Sequence, residues 1–119
     1  MNEKIITETN IKGNLIFNGK IIFEANLGLV RVSGKIKASE IEIKIGTNIF
    51  SRGDISSDGY IFSYGYISSD GDISSKGYIS SKGNISSKGY ISSDGDIFSK
   101  SNISSKGYIF SYGNISSGG

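Results

Sequence analysis

The chain of 119 residues contains no cysteine, no proline, no histidine and no tryptophan. Without cysteine there is neither a disulfide frame nor a thiolate metal site. Without histidine the commonest general base and the commonest imidazole metal ligand are both missing. No segment approaches the roughly 18 apolar residues of a membrane span. Nor does Met1-Asn2-Glu3-Lys4-Ile5-Ile6 have the basic flank and apolar run of a signal peptide, so a cytoplasmic protein with no membrane partner is expected. Charge is also in short supply. The net charge is +2, with seven Lys/Arg against five Glu in residues 1–46 and six Lys/Arg against six Asp in 47–119. That is neither the basic balance of a nucleic-acid binder nor an acidic mimic of one, so electrostatics nominates no partner.

What the chain does have is a repeat. From Thr47 onward one unit, Gly-x-Ile-x-Ser-x, recurs twelve times without insertion. Ile stands at every sixth position from Ile49 to Ile115, and Ser follows two residues later from Ser51 to Ser117. Gly closes the unit from Gly53 to Gly119, broken only at Ser101. Six is even, so an extended backbone keeps every Ile, Ser and Gly on one face. This is the pattern of a β-solenoid, and no helical period competes with it. Ile is the one large inward residue per unit. Gly marks the turn, either through a positive φ or by packing on a neighbouring coil without a Cβ. The inward Ser fits a tight corner, where its hydroxyl can bond backbone or the next coil's Ser.

Three zones follow within one continuous domain. Residues 1–10 are a polar lead-in or first capping strand. Residues 11–46 are irregular coils, richer in large apolar groups such as Leu15, Phe17, Phe23 and Val32, and therefore expected to hold a better filled core. Residues 47–119 are the regular hexads. Outward positions are most alike at a lag of twelve residues, which favours two hexads per coil. A flattened coil of that size has a thin core and often needs disulfide staples, which this chain lacks. An all-β, single-stranded parallel β-solenoid is therefore expected, a triangular prism of about 18 residues, or three hexads, per coil. The bare repeat leaves its handedness open. Stacking at eighteen aligns Asp58, Lys76 and Asp94 favourably, but also Asp54 with Asp72 and Lys82 with Lys100.

Two families share this grammar. Gly59-Tyr60-Ile61 and Gly77-Tyr78-Ile79 supply the small residue two before an aliphatic that hexapeptide-repeat acyltransferases use. The absence of His excludes that family's base and the related zinc chemistry. Val32-Ser33-Gly34-Lys35-Ile36-Lys37-Ala38, Ile41-Glu42-Ile43-Lys44-Ile45-Gly46 and Ile11-Lys12-Gly13-Asn14-Leu15 resemble recurring phrases of the bactofilins, polymer-forming bacterial cytoskeletal proteins. The resemblance covers roughly residues 11–60 and continues only as periodicity. It implies a right-handed triangular β-helix and self-assembly. The monotony of Gly-x-Ile-Ser-Ser departs from the family.

No catalytic centre is expected, since the many serines have no His or buried Lys to activate them; no cofactor or metal is expected either. Asp70 and Asp72, like Asp94 and Asp96, flank a corner Gly where Ca²⁺ would find two carboxylates, although solvated corner charge explains them equally. Lys76, Lys82 and Lys88 share one unit position but point to three different sides of a triangular coil, which makes a nucleic-acid track an unfavoured reading. The protein-contact candidates are the outward aromatics Phe50, Tyr60, Phe62, Tyr64, Phe98, Tyr108, Phe110 and Tyr112, and the end residue Ile115. Asn84, Asn102 and Asn114 match glycosylation sequons only as by-products of the repeat.

The expected function is non-enzymatic: a structural protein whose last coil, at Ser116-Ser117-Gly118-Gly119, carries no cap and so templates another copy end to end into dimers or filaments. The alternative is a small rigid module that binds another protein through an aromatic face, such as a phage or mobile-element inhibitor of a host complex. Ice binding by outward Ser rows is a minor reading, weakened by Phe, Tyr and charge among them.

Overall fold

A computed structural model describes residues 2–118, in which all regular structure is β-strand. Met1, in the lead-in, and Gly119, in the last unit, lie outside the described residues. The first coil contains β1 (Glu3–Ile6), β2 (Asn10–Ile11) and β3 (Leu15–Ile16). The second contains β4 (Lys20–Phe23), β5 (Gly28–Val32) and β6 (Ile36–Ala38), and the third β7 (Glu40–Ile43), β8 (Thr47–Ser51) and β9 (Ile55–Ser57). Three-residue strands then follow: β10 (Ile61–Ser63), β11 (Ile67–Ser69), β12 (Ile73–Ser75), β13 (Ile79–Ser81), β14 (Ile85–Ser87), β15 (Ile91–Ser93), β16 (Ile97–Ser99), β17 (Ile103–Ser105), β18 (Ile109–Ser111) and β19 (Ile115–Ser117).

Every third strand joins the same parallel sheet. Face A is β1-β4-β7-β10-β13-β16-β19, face B runs from β2 to β17, and face C from β3 to β18. Ile49 pairs with Ile67, Ile67 with Ile85, and Ile85 with Ile103. Three hexads thus make one turn of eighteen residues, and the solenoid has about six coils. The likeness between units twelve residues apart joins strands on different faces and does not reflect what stacks. Seven strands at roughly 4.8 Å spacing span about 29 Å, in keeping with a longest dimension of 31 Å. The early coils are irregular: Glu3 pairs with Lys20, Asn10 with Arg31, and Gly28 with Thr47. Their extra residues bulge at corners such as Glu24–Gly28, where Asn26 and Gly28 take positive φ of 62° and 75°.

The isoleucines form columns along the axis. Ile61, Ile67, Ile73 and their successors through Ile97 are completely buried, each worth about 1.5–3 kcal/mol of burial. β-branched Ile suits the short, half-buried strand. Phe23, Val30, Val32, Ile41 and Ile43 fill the early coils with larger groups, and Phe17 and Leu27 pack against them.

The repeat glycines are explained by stacking rather than by conformation. Positive φ occurs at Gly13, Gly19, Gly28 and Gly46, all before the regular zone. In the hexads a Cβ would strike the coil beneath: at Gly77 it would lie 2.9 Å from the Gly59 carbonyl carbon. The inward serines bond backbone, not one another. Ser81 Oγ donates to the Gly65 carbonyl of the coil beneath at 2.6 Å and accepts the Gly83 N–H at 3.0 Å. Ser69, Ser93, Ser99 and Ser111 repeat this arrangement. Among the described residues no buried side-chain nitrogen or oxygen lacks a partner.

These bonds rank the serines. The Gly95 N–H donates both to Ser93 Oγ at 3.1 Å and to the Gly77 carbonyl at 3.0 Å. The Gly83 N–H, by contrast, donates to Ser81 Oγ and to no backbone carbonyl. Ser81→Ala is therefore expected to cost about 1–3 kcal/mol, Ser93→Ala less, and outward Ser80→Ala under about 0.5 kcal/mol. Urea unfolding of the three variants checks that order.

Candidate interaction surfaces

The eighteen-residue register decides which outward residues meet. Phe62 and Phe98 share face A, separated by Ser80. Phe50 lies on face B, and Phe110 lies on face C. The segments Tyr60–Tyr64 and Tyr108–Tyr112, alike in sequence, therefore project from different sides of the prism. Within each segment the Phe meets a Tyr edge on: Phe62 and Tyr64 have ring centroids 5.3 Å apart, Phe110 and Tyr112 5.0 Å. The corner tyrosines stack between coils, Tyr60 on Tyr78 at 5.2 Å and Tyr90 on Tyr108 at 5.1 Å, nearly parallel in both cases. Such a contact contributes about 0.5–1.5 kcal/mol beyond burial. Part of the aromatic surface is thus inter-coil packing. Phe98 (39% exposed), Phe110 (44%) and Tyr112 (76%) remain on the surface.

On face A, Phe62, Tyr78, Phe98 and Asp96 border a shallow depression floored by Ile79 and Ser80. Tyr78 belongs to this group although the sequence gives no reason to single it out; only the register brings it into the coil between Phe62 and Phe98, two residues before Ser80. The outward serines are less interrupted than expected, since Ser68, Ser86 and Ser104 run unbroken up face B and Ser56, Ser74 and Ser92 up face C.

The corner position after Gly carries Asn or Asp for a structural reason. Asp54 Oδ1 accepts the Asp72 N–H at 2.8 Å, and Asp72 Oδ1 accepts the Tyr90 N–H at 2.9 Å. The alignment of Asp54 with Asp72, which looks repulsive in sequence, is a hydrogen-bond ladder. Asp96 does the same for the Asn114 N–H, and Asp70 pairs with Lys88 at 3.5 Å. Among the described residues no three potential ligands gather around one point, so the carboxylates at Gly71 and Gly95 form no metal cluster. Lys76, Lys82 and Lys88 follow strands on faces C, A and B respectively. Lys82 Nζ instead sits 4.5 Å from the Tyr64 ring centre.

The shortest ion pair among the described residues lies lower on face A. Lys20 Nζ is 2.7 Å from Glu42 Oε1, and hydrogen bonds to Glu42 and then Tyr60 hold its pKa above the ordinary lysine range. The Ala25 N–H, followed by Lys44, holds Glu24 below the usual carboxylate range. Burial pushes the Tyr78 hydroxyl up, with the neighbouring Tyr60 adding to it.

The two ends of the stack differ. In the first coil Ile6 and Leu15 are 4% and 6% exposed and Ile11 is half-buried, whereas Ile115 in β19 is 49% exposed and Ile103 and Ile109 are half-buried. The N–H groups of Ile85, Ile91 and Ile97 donate to the carbonyls of Asn102, Tyr108 and Asn114 in the coil above. By the same geometry those of Ile103, Ile109 and Ile115 point past the last described coil.

No family model, no curated protein and no solved structure matches this chain. Its own geometry is the basis for a functional reading. None of the described segments is a helix long and apolar enough to cross a membrane. Two side chains that the motif pattern passes over, Arg31 and Arg52, meet on face B. Their signal was compositional: they are the only arginines in the chain.

The raised Tyr78 pKa carries a sign. The folded state holds the phenolic proton more tightly than the unfolded chain, so the full contribution is present below the ordinary tyrosine range near 10 and is lost as pH rises through the folded value. Denaturation midpoints measured between about pH 8 and pH 11 should fall with rising pH, and Tyr78→Phe should flatten that fall.

Proposed function

We propose that this chain is a non-enzymatic structural protein of the cytoplasm that associates end to end, in the manner the bactofilin resemblance implies. The observation that supports it is the edge at β17–β19. There three strands present outward-pointing N–H groups around an Ile column that is buried from Ile49 to Ile97. A strand edge of this kind is a template for further pairing, and the exposed Ile115 with the half-buried Ile109 and Ile103 supply apolar area that another coil would bury. The occupant with the matching three-cornered outline is a second copy, and the product is a dimer or a filament. Ser69, Ser81, Ser93 and Ser111 direct their hydroxyls to backbone groups, so they serve the frame.

A second reading is favoured by one specific arrangement. Phe62, Tyr78 and Phe98 share face A, and exposed aromatic groups clustered on a rigid sheet are typical anchors for another protein. In that reading the solenoid is a small binding module.

Sedimentation velocity separates the two. The wild-type chain should sediment as two or more copies at micromolar concentration, and Ile109→Lys with Ile115→Lys should reduce it to a monomer. Phe62→Ser with Phe98→Ser should leave the assembly intact. A wild-type chain that stays monomeric up to millimolar concentration would exclude end-to-end association, and loss of assembly only in the Phe variant would move the contact to face A.

A further inference from the structure

Face B begins with a cleft of about 310 Å³. Its floor and walls come from two outward columns of the first three coils. One column is Asn10, Arg31 and Phe50, in direct register. The other is Lys12, Ser33 and Arg52, each one residue beyond the paired inward set Ile11, Val32 and Ser51. Three cations and one aromatic ring therefore line one concavity, and no carboxylate lines it. None of Lys12, Arg31 and Arg52 takes part in an ion pair among the described residues. The nearest acid by register is Asp70, one coil above Arg52, and it pairs with Lys88 at 3.5 Å. The Ser33 hydroxyl is already engaged, accepting the Gly13 N–H at 2.7 Å.

The residue choices here run against the repeat. Both arginines of the chain stand in this cleft, and where other units carry a cation at the position of Arg52 it is lysine, at Lys76, Lys82, Lys88, Lys100 and Lys106. Phe50 stands where the coils directly above carry Ser68 and Ser86. Like charges on neighbouring strands repel one another, so nothing in the stacking of coils asks for this cluster. The planar guanidinium offers paired N–H donors that match the oxygens of phosphate, which lysine does not. A ring such as Phe50 offers a face on which a planar group stacks. The volume is at the lower end of ligand sites, enough for a phosphate and one ring.

We propose that this cleft binds a phosphate monoester carrying an aromatic group. Arg31 and Arg52 hold the phosphate oxygens, Lys12 adds the third positive charge, and the aromatic group lies against Phe50. Three cations call for a dianion rather than a single carboxylate. The cleft opens on the outward side of face B rather than along a strand edge, so ligand binding there is read separately from end-to-end association.

The test is a titration of phenyl phosphate, inorganic phosphate and phenol, followed by amide chemical shifts. Phenyl phosphate should saturate below about 1 mM and bind at least about fivefold tighter than inorganic phosphate, with shifts centred on residues 10–12, 31–33 and 50–52. Arg31→Gln with Arg52→Gln should weaken it about tenfold or more. Phe50→Ser, which installs the residue of the coils above, should bring phenyl phosphate down to the level of inorganic phosphate. Lys100→Gln with Lys106→Gln removes the same charge elsewhere and should change nothing. The proposal is overturned if phenyl phosphate fails to saturate by about 10 mM or phenol binds as tightly. It is equally overturned if the Lys100/Lys106 control weakens binding as much as the arginine variant does.

Discussion

From Ser69 to Ser111 each inward serine hydroxyl closes a corner and joins two coils at once, and the stacking of those coils depends on that double role. As acceptor it takes the N–H of the glycine two residues on; as donor it reaches the glycine carbonyl of the coil beneath. A larger polar residue would not fit the corner, and an apolar one would strand two backbone groups away from water. The glycine completes the device, because its missing Cβ lets one corner lie directly on the next. Isoleucine then needs only to fill the axis. A short strand of three residues is weak in isolation, but those from β9 to β16 are each tied by ladder bonds above and below and by a serine at the end.

With the frame fixed by three positions of six, the other three are released to the surface, and their chemistry divides by place. The position after Gly serves stacking through Asn and Asp ladders or through paired tyrosine rings. The position after Ile, in mid-strand, is the one most open to a role beyond the frame. It is Ser in most coils and Phe at Phe50, Phe62, Phe98 and Phe110. The position after Ser holds most of the charges of the regular units, among them the paired Lys88 and Asp70; Arg52 at that position shares a cleft with Lys12 and with the mid-strand Arg31 and Phe50.

The even period made the solenoid legible, and the want of any staple favoured three hexads per coil over two. What could not be read depended on which residues stack. Phe62 and Phe110 sit in near-identical sequence but on different faces, while Phe98, in a different context, joins Phe62. Asp54 over Asp72 looks like repulsion until the backbone N–H between them is placed. The repeat glycines left two explanations open, and only the coil-to-coil distances choose the contact over the positive φ. The first three coils were harder still, because their offsets vary, as Glu3 with Lys20 and Asn10 with Arg31 show. For that reason the basic cleft, built from those coils, had no visible spacing in the sequence.

The frame and the surface meet at β17–β19, the last strands of the three sheets among the described residues. The central claim is that this edge is completed by another copy. Amide hydrogen exchange at low and high protein concentration tests it most directly. The account predicts slow exchange at Ile85, Ile91 and Ile97 in both conditions, and exchange at Ile103, Ile109 and Ile115 that is fast when dilute and slows at high concentration. Fast exchange at those three amides at every concentration would contradict it.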